Sequence, residues 1–361
     1  MDNLAHTLVG AALGRAVADR RVPAAGWIGA VAGNAPDWCE LLISPGAWSP
    51  RGGPSYLIYH RGITHSLLGA GLETALVTAL VGLTLRWWPG RDTGGRVRWG
   101  WIAACVAITV ASHLYLDWQG SYGLRPLLPW SARWYYADWV AIVDPFFWIV
   151  PLVALAWGAR RHWRPALVHL TALGGVTALV LGPGRSIVVW WVRLGVVALL
   201  AACAVGWTRH WFGVAGRRRA AAYGLLLLAA YAAASGVASA VVTTRTRAAA
   251  LRRFGPAATW AALTEVGRPF RWELVTASPD SVAGPGWTVP RHLDDAAVLR
   301  ALATPRGRAI AQFARFLAAE VDSSGGQGEV RVLLRDARYH PDADGARGGW
   351  AAVEVSVGRG R

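Results

Sequence analysis

Lysine does not occur in this chain; all 37 basic residues are arginine. Charge of either sign is scarce, at 16% of the 361 positions. A soluble domain carries roughly a quarter charged residues, so the polar surface needed by a wholly soluble protein is missing. Cysteine is scarce too. Cys39, Cys105 and Cys203 lie far apart in apolar surroundings, which excludes a disulfide framework and a cysteine-rich zinc finger. They read as packing residues. What the chain has instead is apolar, with 54% hydrophobic residues and 22 tryptophans, and that excludes a disordered chain.

The 37 basic residues stand against 21 acidic ones, for a net charge of +16. A nucleic-acid-binding protein would gather its arginines on a polar amphipathic face. Here they sit in short clusters between apolar stretches, which is how membrane proteins mark their cytoplasmic connections. A lipid bilayer is therefore the expected partner, and nucleic acid is not.

Six runs, 66–86, 99–117, 139–157, 165–182, 186–207 and 220–242, approach the roughly 20 apolar residues that cross a bilayer. Two earlier runs, 4–18 and 22–38, are shorter and rich in Ala and Gly; they either span or pair as a re-entrant hairpin. Asp2 and His6 replace the basic start of a signal peptide, and no cleavage site is expected.

The connections alternate in arginine content. The first, third, fifth and seventh hold Arg15, Arg20 and Arg21; Arg86, Arg91, Arg96 and Arg98; Arg160, Arg161 and Arg164; and Arg209, Arg217, Arg218 and Arg219. The others hold only Arg51 and Arg61; Arg125 and Arg133; and Arg185. By the positive-inside rule the arginine-rich set is cytoplasmic, and eight spans put both termini outside. Arg245, Arg247, Arg252 and Arg253 run against this order, though long translocated domains follow the rule poorly.

The expected fold class is mostly α: a polytopic membrane protein of seven to eight transmembrane or re-entrant helices with a small C-terminal α+β extramembrane domain. Residues 1–158 form a membrane-embedded helical domain carrying a metal site, 159–244 add further spans, and 245–361 form the tail. In the tail, strands are expected at 271–275, 329–334 and 350–357, helices at 298–303 and 308–321, and a flexible loop at 323–328. His292 and His340 read as surface residues, and His162 and His210 as loop residues.

Ionisable residues at the edges of apolar spans are costly to bury and mark functional sites by default. His6 lies in MDNLAHTLVG, Asp37 in GNAPDW, His60, Arg61 and His65 in YHRGITHS, His113 and Asp117 in SHLYLD, and Asp138 and Asp144 in YYADWVAIVDP. In the deduced topology all fall at outward-facing ends, so they are expected to share one site. His113 and Asp117 are four apart and project from one helix face. Gly62 between His60 and His65 permits a tight turn, and Thr64 is placed to cap the helix that follows. Imidazole with carboxylate suits zinc, and also manganese, iron or nickel. Four His and up to four Asp exceed one tetrahedral site, so either two or more ions bind or some residues only orient the others. Trp130, Trp134, Tyr135 and Tyr136 are expected at headgroup level.

At these same motifs, over roughly residues 1–150, the chain resembles the YdjM-like family of inner-membrane proteins. The block at 60–66 is the most specific part, and 112–118 comes next. The resemblance implies a multi-pass inner-membrane protein with a helical metal site and metal-dependent hydrolase activity. Carried over, the ligand candidates are His6, Asp37, His60, His65, His113 and Asp117.

The expected mechanism is hydrolysis by water activated on one or two divalent ions, zinc first. Asp138 or Asp144 would accept the proton, and Arg61 would stabilise anionic charge. An interfacial site suits an amphiphilic, lipid-like or phosphoester substrate on the non-cytoplasmic side. The rival reading is a non-enzymatic membrane protein or transporter with a structural or transported metal. A third gives the function to the tail as a binding module.

Overall fold

The computed structural model describes residues 1–22, 24–43, 53–87, 97–209, 216–324, 329–342, 345 and 349–358. Arg51, Arg91, Arg96, His210 and positions 325–328 of the expected loop lie outside these residues.

The chain opens with short helices α1 (Asn3–Ala18), α2 (Ala25–Ala32), α3 (Ala35–Ile43) and α4 (Gly53–Tyr59), then one 3-10 turn (Ile63–His65). Asp2 caps α1, its carboxylate accepting the N–H groups of Leu4 and Ala5. The expected run 22–38 is broken into α2 and α3 at Gly33 and Asn34. Pro36 fits only the first turn of a new helix. Where α1 crosses α2, glycines let the two backbones touch. A Cβ on Gly10 would lie 2.2 Å from the Gly29 carbonyl oxygen, and one on Gly14 2.0 Å from that of Ala25. Small residues four apart are what close membrane-helix crossings require.

Long helices follow: α5 (Leu67–Trp87), α6 (Trp99–Trp118), α7 (Pro145–Ala159), α8 (Trp163–Leu181), α9 (Trp190–Thr208) and α10 (Arg217–Phe254). Five of them, α5, α6, α8, α9 and α10, are long and apolar enough to cross a membrane; α7 is apolar but shorter. The expected span at 139–157 starts only at α7. Asp144 stops it there by accepting the Phe146 N–H at 2.9 Å, with Pro145 as the first helical residue. Phe147, Ile149 and Leu152 of α7 build the buried membrane core with Val192 and Val196 of α9 and Leu228 of α10.

Helix α10 has 38 residues, about 57 Å at 1.5 Å per residue, well beyond the roughly 30 Å of bilayer hydrocarbon. Its last turns carry Arg245 to Arg253, and the first strand of the tail begins at Thr259. Strands β1 (Thr259–Thr264), β2 (Trp272–Ala277), β3 (Ser281–Gly284) and β4 (Trp287–Pro290) form an antiparallel meander. Helices α11 (Ala296–Ala303) and α12 (Pro305–Phe313) then pack on a second antiparallel sheet of β5 (Leu317–Asp322), β6 (Glu329–Asp336) and β7 (Ala352–Gly358). The helix expected at 308–321 ends at Phe313. The helix-prone run after it pairs with β6, Leu317 opposite Asp336, and that pairing overrides local propensity. Leu57 of α4 is buried in the same core as Ile310 and Phe313, which ties the tail to the membrane part.

Candidate metal centre

The last turn of α6 presents His113 and Asp117, both fully buried. The 3-10 turn presents His65, the first turn of α3 presents Asp37, and α1 presents His6. Four of these residues converge. His65 Nε2 lies 3.1 Å from His113 Nε2, and Asp117 Oδ2 lies 3.5 and 3.4 Å from the same two nitrogens. Asp37 Oδ1 closes the group at 3.3 Å from His65 Nε2 and 3.7 Å from His113 Nε2. The His6 ring stacks on His113 at 3.8 Å, with Nε2 3.3 Å from Asp117 Oδ1.

The surroundings fix which atoms face inward. His113 Nδ1 donates to the Gly33 carbonyl at 2.7 Å, which leaves a lone pair on Nε2. His65 turns its Nδ1 to Thr64 Oγ1 at 2.9 Å and to Glu40 at 3.4 Å. Thr64 therefore orients an imidazole instead of capping a helix. Burial holds the His65 pKa below its ordinary value, so the ring stays neutral. Burial also pushes the Asp37 carboxyl up, but the neighbouring His65 and His113 outweigh it and hold the group below the usual range. Asp117 divides its oxygens: Oδ2 faces the histidines, while Oδ1 takes the Arg61 guanidinium at 2.9 Å and the amino group of Met1.

A family model described as the YdjM inner membrane protein family matches residues 1–210, and so covers every residue of the cluster. The chain belongs to the YdjM family. It is also 27% identical over 164 residues to a protein of Bacillus subtilis (strain 168) described as uncharacterized protein YfhP, covering 43% of this chain and 46% of that protein. The chain thus spans about half the length of the curated relative it matches. No solved structure matches.

The donor set of this YdjM family member fits a divalent ion. Four N or O donors about 2.0–2.1 Å from a tetrahedral centre stand about 3.3–3.4 Å apart, and the spacings above run from 3.1 to 3.7 Å. Two facing imidazole lone pairs and two carboxylate oxygens also repel one another unless a cation lies between them. Among the described residues, three overlapping groups could hold such an ion: His65, His113 and Asp117; His6, Asp37 and His113; and Asp37, Glu40 and His65.

His60 is one layer further out. Its Nδ1 meets Glu40 Oε1 at 2.7 Å and its ring stacks on Tyr56 at 4.6 Å, so it supports the cluster and does not join it. Glu40 was not expected from the sequence. It is buried, and its other oxygen accepts the Arg61 N–H at 2.9 Å. Its position three residues after Asp37, on the same face of α3, was the available signal. Arg61 adopts a left-handed backbone (φ 52°) and spends its guanidinium on Asp117 and on the Gly123 carbonyl at 3.1 Å. Its guanidinium is therefore engaged by the carboxylate of Asp117 and by a backbone carbonyl.

Asp138 and Asp144 stand elsewhere. Asp138 pairs with Arg315 of the tail at 2.9 Å, and Asp144 accepts the Tyr231 hydroxyl at 2.5 Å while capping α7. Among the described residues neither has a hydrogen bond or ion pair to the cluster. The aromatic loop is likewise committed to the tail: Trp134 meets Phe313 edge-on at 5.6 Å, and Tyr136 lies under Arg315 at 4.4 Å. Tyr122 bridges the two parts, with Arg61 4.7 Å over one face and Trp350 stacked at 5.8 Å.

Proposed function

We propose that this YdjM family member is a membrane-embedded, metal-dependent hydrolase acting on a lipid-like or phosphoester substrate at the non-cytoplasmic interface. The observation that carries the reading is the convergence of His65, His113, Asp117 and Asp37 from four separate elements. A mixed imidazole and carboxylate set suits zinc, with the Asp37, Glu40 and His65 group offering room for a second ion. A bound ion would supply Lewis-acid activation of water at neutral pH.

The chain's own residues do the rest. His65, His113 and Asp117, all buried, would hold the ion, and Arg61 neutralises the charge of Asp117. Asp37 is the most open member, its side chain 14% exposed, with Oδ2 accepting from Asn3 Nδ2 at 2.7 Å. Its Oδ2 takes the proton-accepting role expected of Asp138 or Asp144. The finer organisation belongs to the same proposal: seven or eight membrane segments, the division at 158 and 244, and a non-cytoplasmic metal centre and tail. The arginine-poor connections at the cluster end of the bundle support that orientation.

Metal analysis of the purified protein tests the reading, first unaltered and then as His65→Ala and His113→Ala. Bound metal near one or two equivalents, lost in both variants together with metal-dependent phosphoester turnover, is the expected result. Unchanged metal content in both variants defeats it.

One observation favours an alternative, a transported ion. Glu73 of α5 is buried, and the Cys39 thiol is the one hydrogen-bonding neighbour its carboxylate has among the described residues. Such a group inside a span marks ion paths in transporters. Metal flux into sealed vesicles, without turnover in detergent, would decide for it.

A further inference from the structure

Two apolar helices and one hairpin of the tail meet at a single turn. A 3-10 turn (Pro183–Ser186) and the residues up to Val189 join α8 to α9, and both helices are long and apolar enough to cross a bilayer. A connection this short between two spans lies at a bilayer surface. The loop that joins β1 to β2, residues 265–271, is seated on it. The Val189 N–H donates to the Gly267 carbonyl at 3.3 Å. Gly267 has a left-handed backbone (φ 70°), and a Cβ on it would lie 2.7 Å from the Ile187 carbonyl oxygen, so the close approach requires glycine. Phe270 meets Tyr231 of α10 edge-on at 5.7 Å.

The loop is therefore the bilayer end of the tail. Thr264 pairs with Trp272 beside the loop, and Thr259 pairs with Ala277 at the far end of the two strands. That far end is about 17 Å away at 3.4 Å per residue. Leu274 and Thr276 of β2 share a groove with Thr246 and Ala250, in the part of α10 that exceeds the bilayer.

The loop leaves its own apolar side chains uncovered. Val266 and Phe270 are exposed, and so are Ile187 and Trp190 on the turn that carries it. Phe270 holds a left-handed backbone (φ 58°), an uncommon state for a bulky residue. Arg268 and Arg271 alternate with these residues and are exposed too; Arg268 pairs with Glu265 at 2.9 Å on the surface. Apolar and aromatic side chains interleaved with arginine match the interfacial layer of a bilayer. There, rings sit at headgroup level and arginine stems lie along apolar surface.

We propose that the β1–β2 loop is seated in the phospholipid layer. Val266 and Phe270 enter the edge of the acyl region beside the α8–α9 turn, and Arg268 and Arg271 lie among the lipid phosphates. Lipid is the occupant because the exposed apolar surface of the loop continues, through Ile187 and Trp190, onto a helix that crosses the bilayer. The tail then stands on the membrane at a fixed height. This inference is independent of the hydrolase reading and of the metal centre.

The test uses the full chain in nanodiscs of phosphatidylcholine and phosphatidylglycerol. The photoreactive residue p-benzoylphenylalanine replaces Val266, Phe270 or Thr259 in three separate proteins, and the adducts formed on illumination are weighed by mass spectrometry. Lipid adducts are expected at Val266 and Phe270. They should be lost at Thr259, which is exposed at the far end of the same strand pair. The Val266 protein keeps the test open should the Phe270 protein fail to fold. Crosslinks between two chains at Val266 would give this face to a second copy, and the absence of any adduct there would leave it in water. Either result overturns the proposal, as does equal lipid labelling at Thr259.

Discussion

Replacing Gly29 by Ala tests how the cluster is held from a distance. The added methyl would lie 2.1 Å from the Gly10 carbonyl oxygen, whereas ordinary contact begins at 3.4 Å. The obstacle is backbone on a facing helix and cannot rotate away, so α1 and α2 must part by about 1.3 Å to relieve it. Overpacking of this kind costs about 1–3 kcal/mol. The displacement also reaches the site. Helix α1 carries His6, and α2 leads directly to the Gly33 carbonyl that orients His113 at 2.7 Å. Loss of such an orienting partner lowers metal affinity about 10–100-fold. The assay pairs thermal unfolding with metal titration against a chelator, and Gly71→Ala is the control. Gly71 lies in α5 with nothing within 4 Å of an added Cβ, so that change should be neutral or slightly stabilising. If Gly29→Ala melts with Gly71→Ala and binds metal equally well, the close crossing does not position the cluster.

Three further outcomes follow from the same geometry. Asp117→Ala should destabilise by about 3–5 kcal/mol, because it leaves the buried Arg61 guanidinium without its carboxylate; denaturant unfolding measures this, and a loss under 1 kcal/mol would contradict it. Asp138→Asn keeps a side chain that tolerates the left-handed backbone and can still accept from Arg315, but it removes the charge from a mostly buried pair. It should cost about 1.5–3 kcal/mol and leave metal content unchanged; lost metal would return Asp138 to the site. Glu40→Gln should keep the fold but loosen both His60 and His65, and a metal titration should show about 10–100-fold weaker binding.

The long apolar helices were legible because membrane burial demands about 20 apolar residues in a row, and no other environment does. Four members of the cluster were legible for a related reason: a charge placed where apolar residues should be is conspicuous. Where the structure groups the residues differently, the causes are local. His60 and His65 looked equivalent by spacing, but the left-handed turn at Arg61 sends His60 toward Glu40 and His65 inward. Asp138 and Asp144 were grouped with the cluster by their place at the opening of a span, while the partners that draw them away are remote in sequence, Arg315 being 177 residues and Tyr231 87 residues away. The strand at 317–322 hid behind a helix-prone composition until β6 supplied its pairing partner.

The grip of the tail on the loop after α6 has a consequence for biosynthesis. Arg338 donates to the Ser121 carbonyl at 2.8 Å, Trp272 to that of Asp138 at 2.8 Å, and Arg315 grasps the Asp138 carboxylate. The same loop carries the Gly123 carbonyl that steadies Arg61. A nascent chain emerges from its amino end, so the first helices wait for the last strands before their charged interior is closed. A chain stopped short of the tail would therefore leave Arg61 and its carboxylate partner without their outer wall.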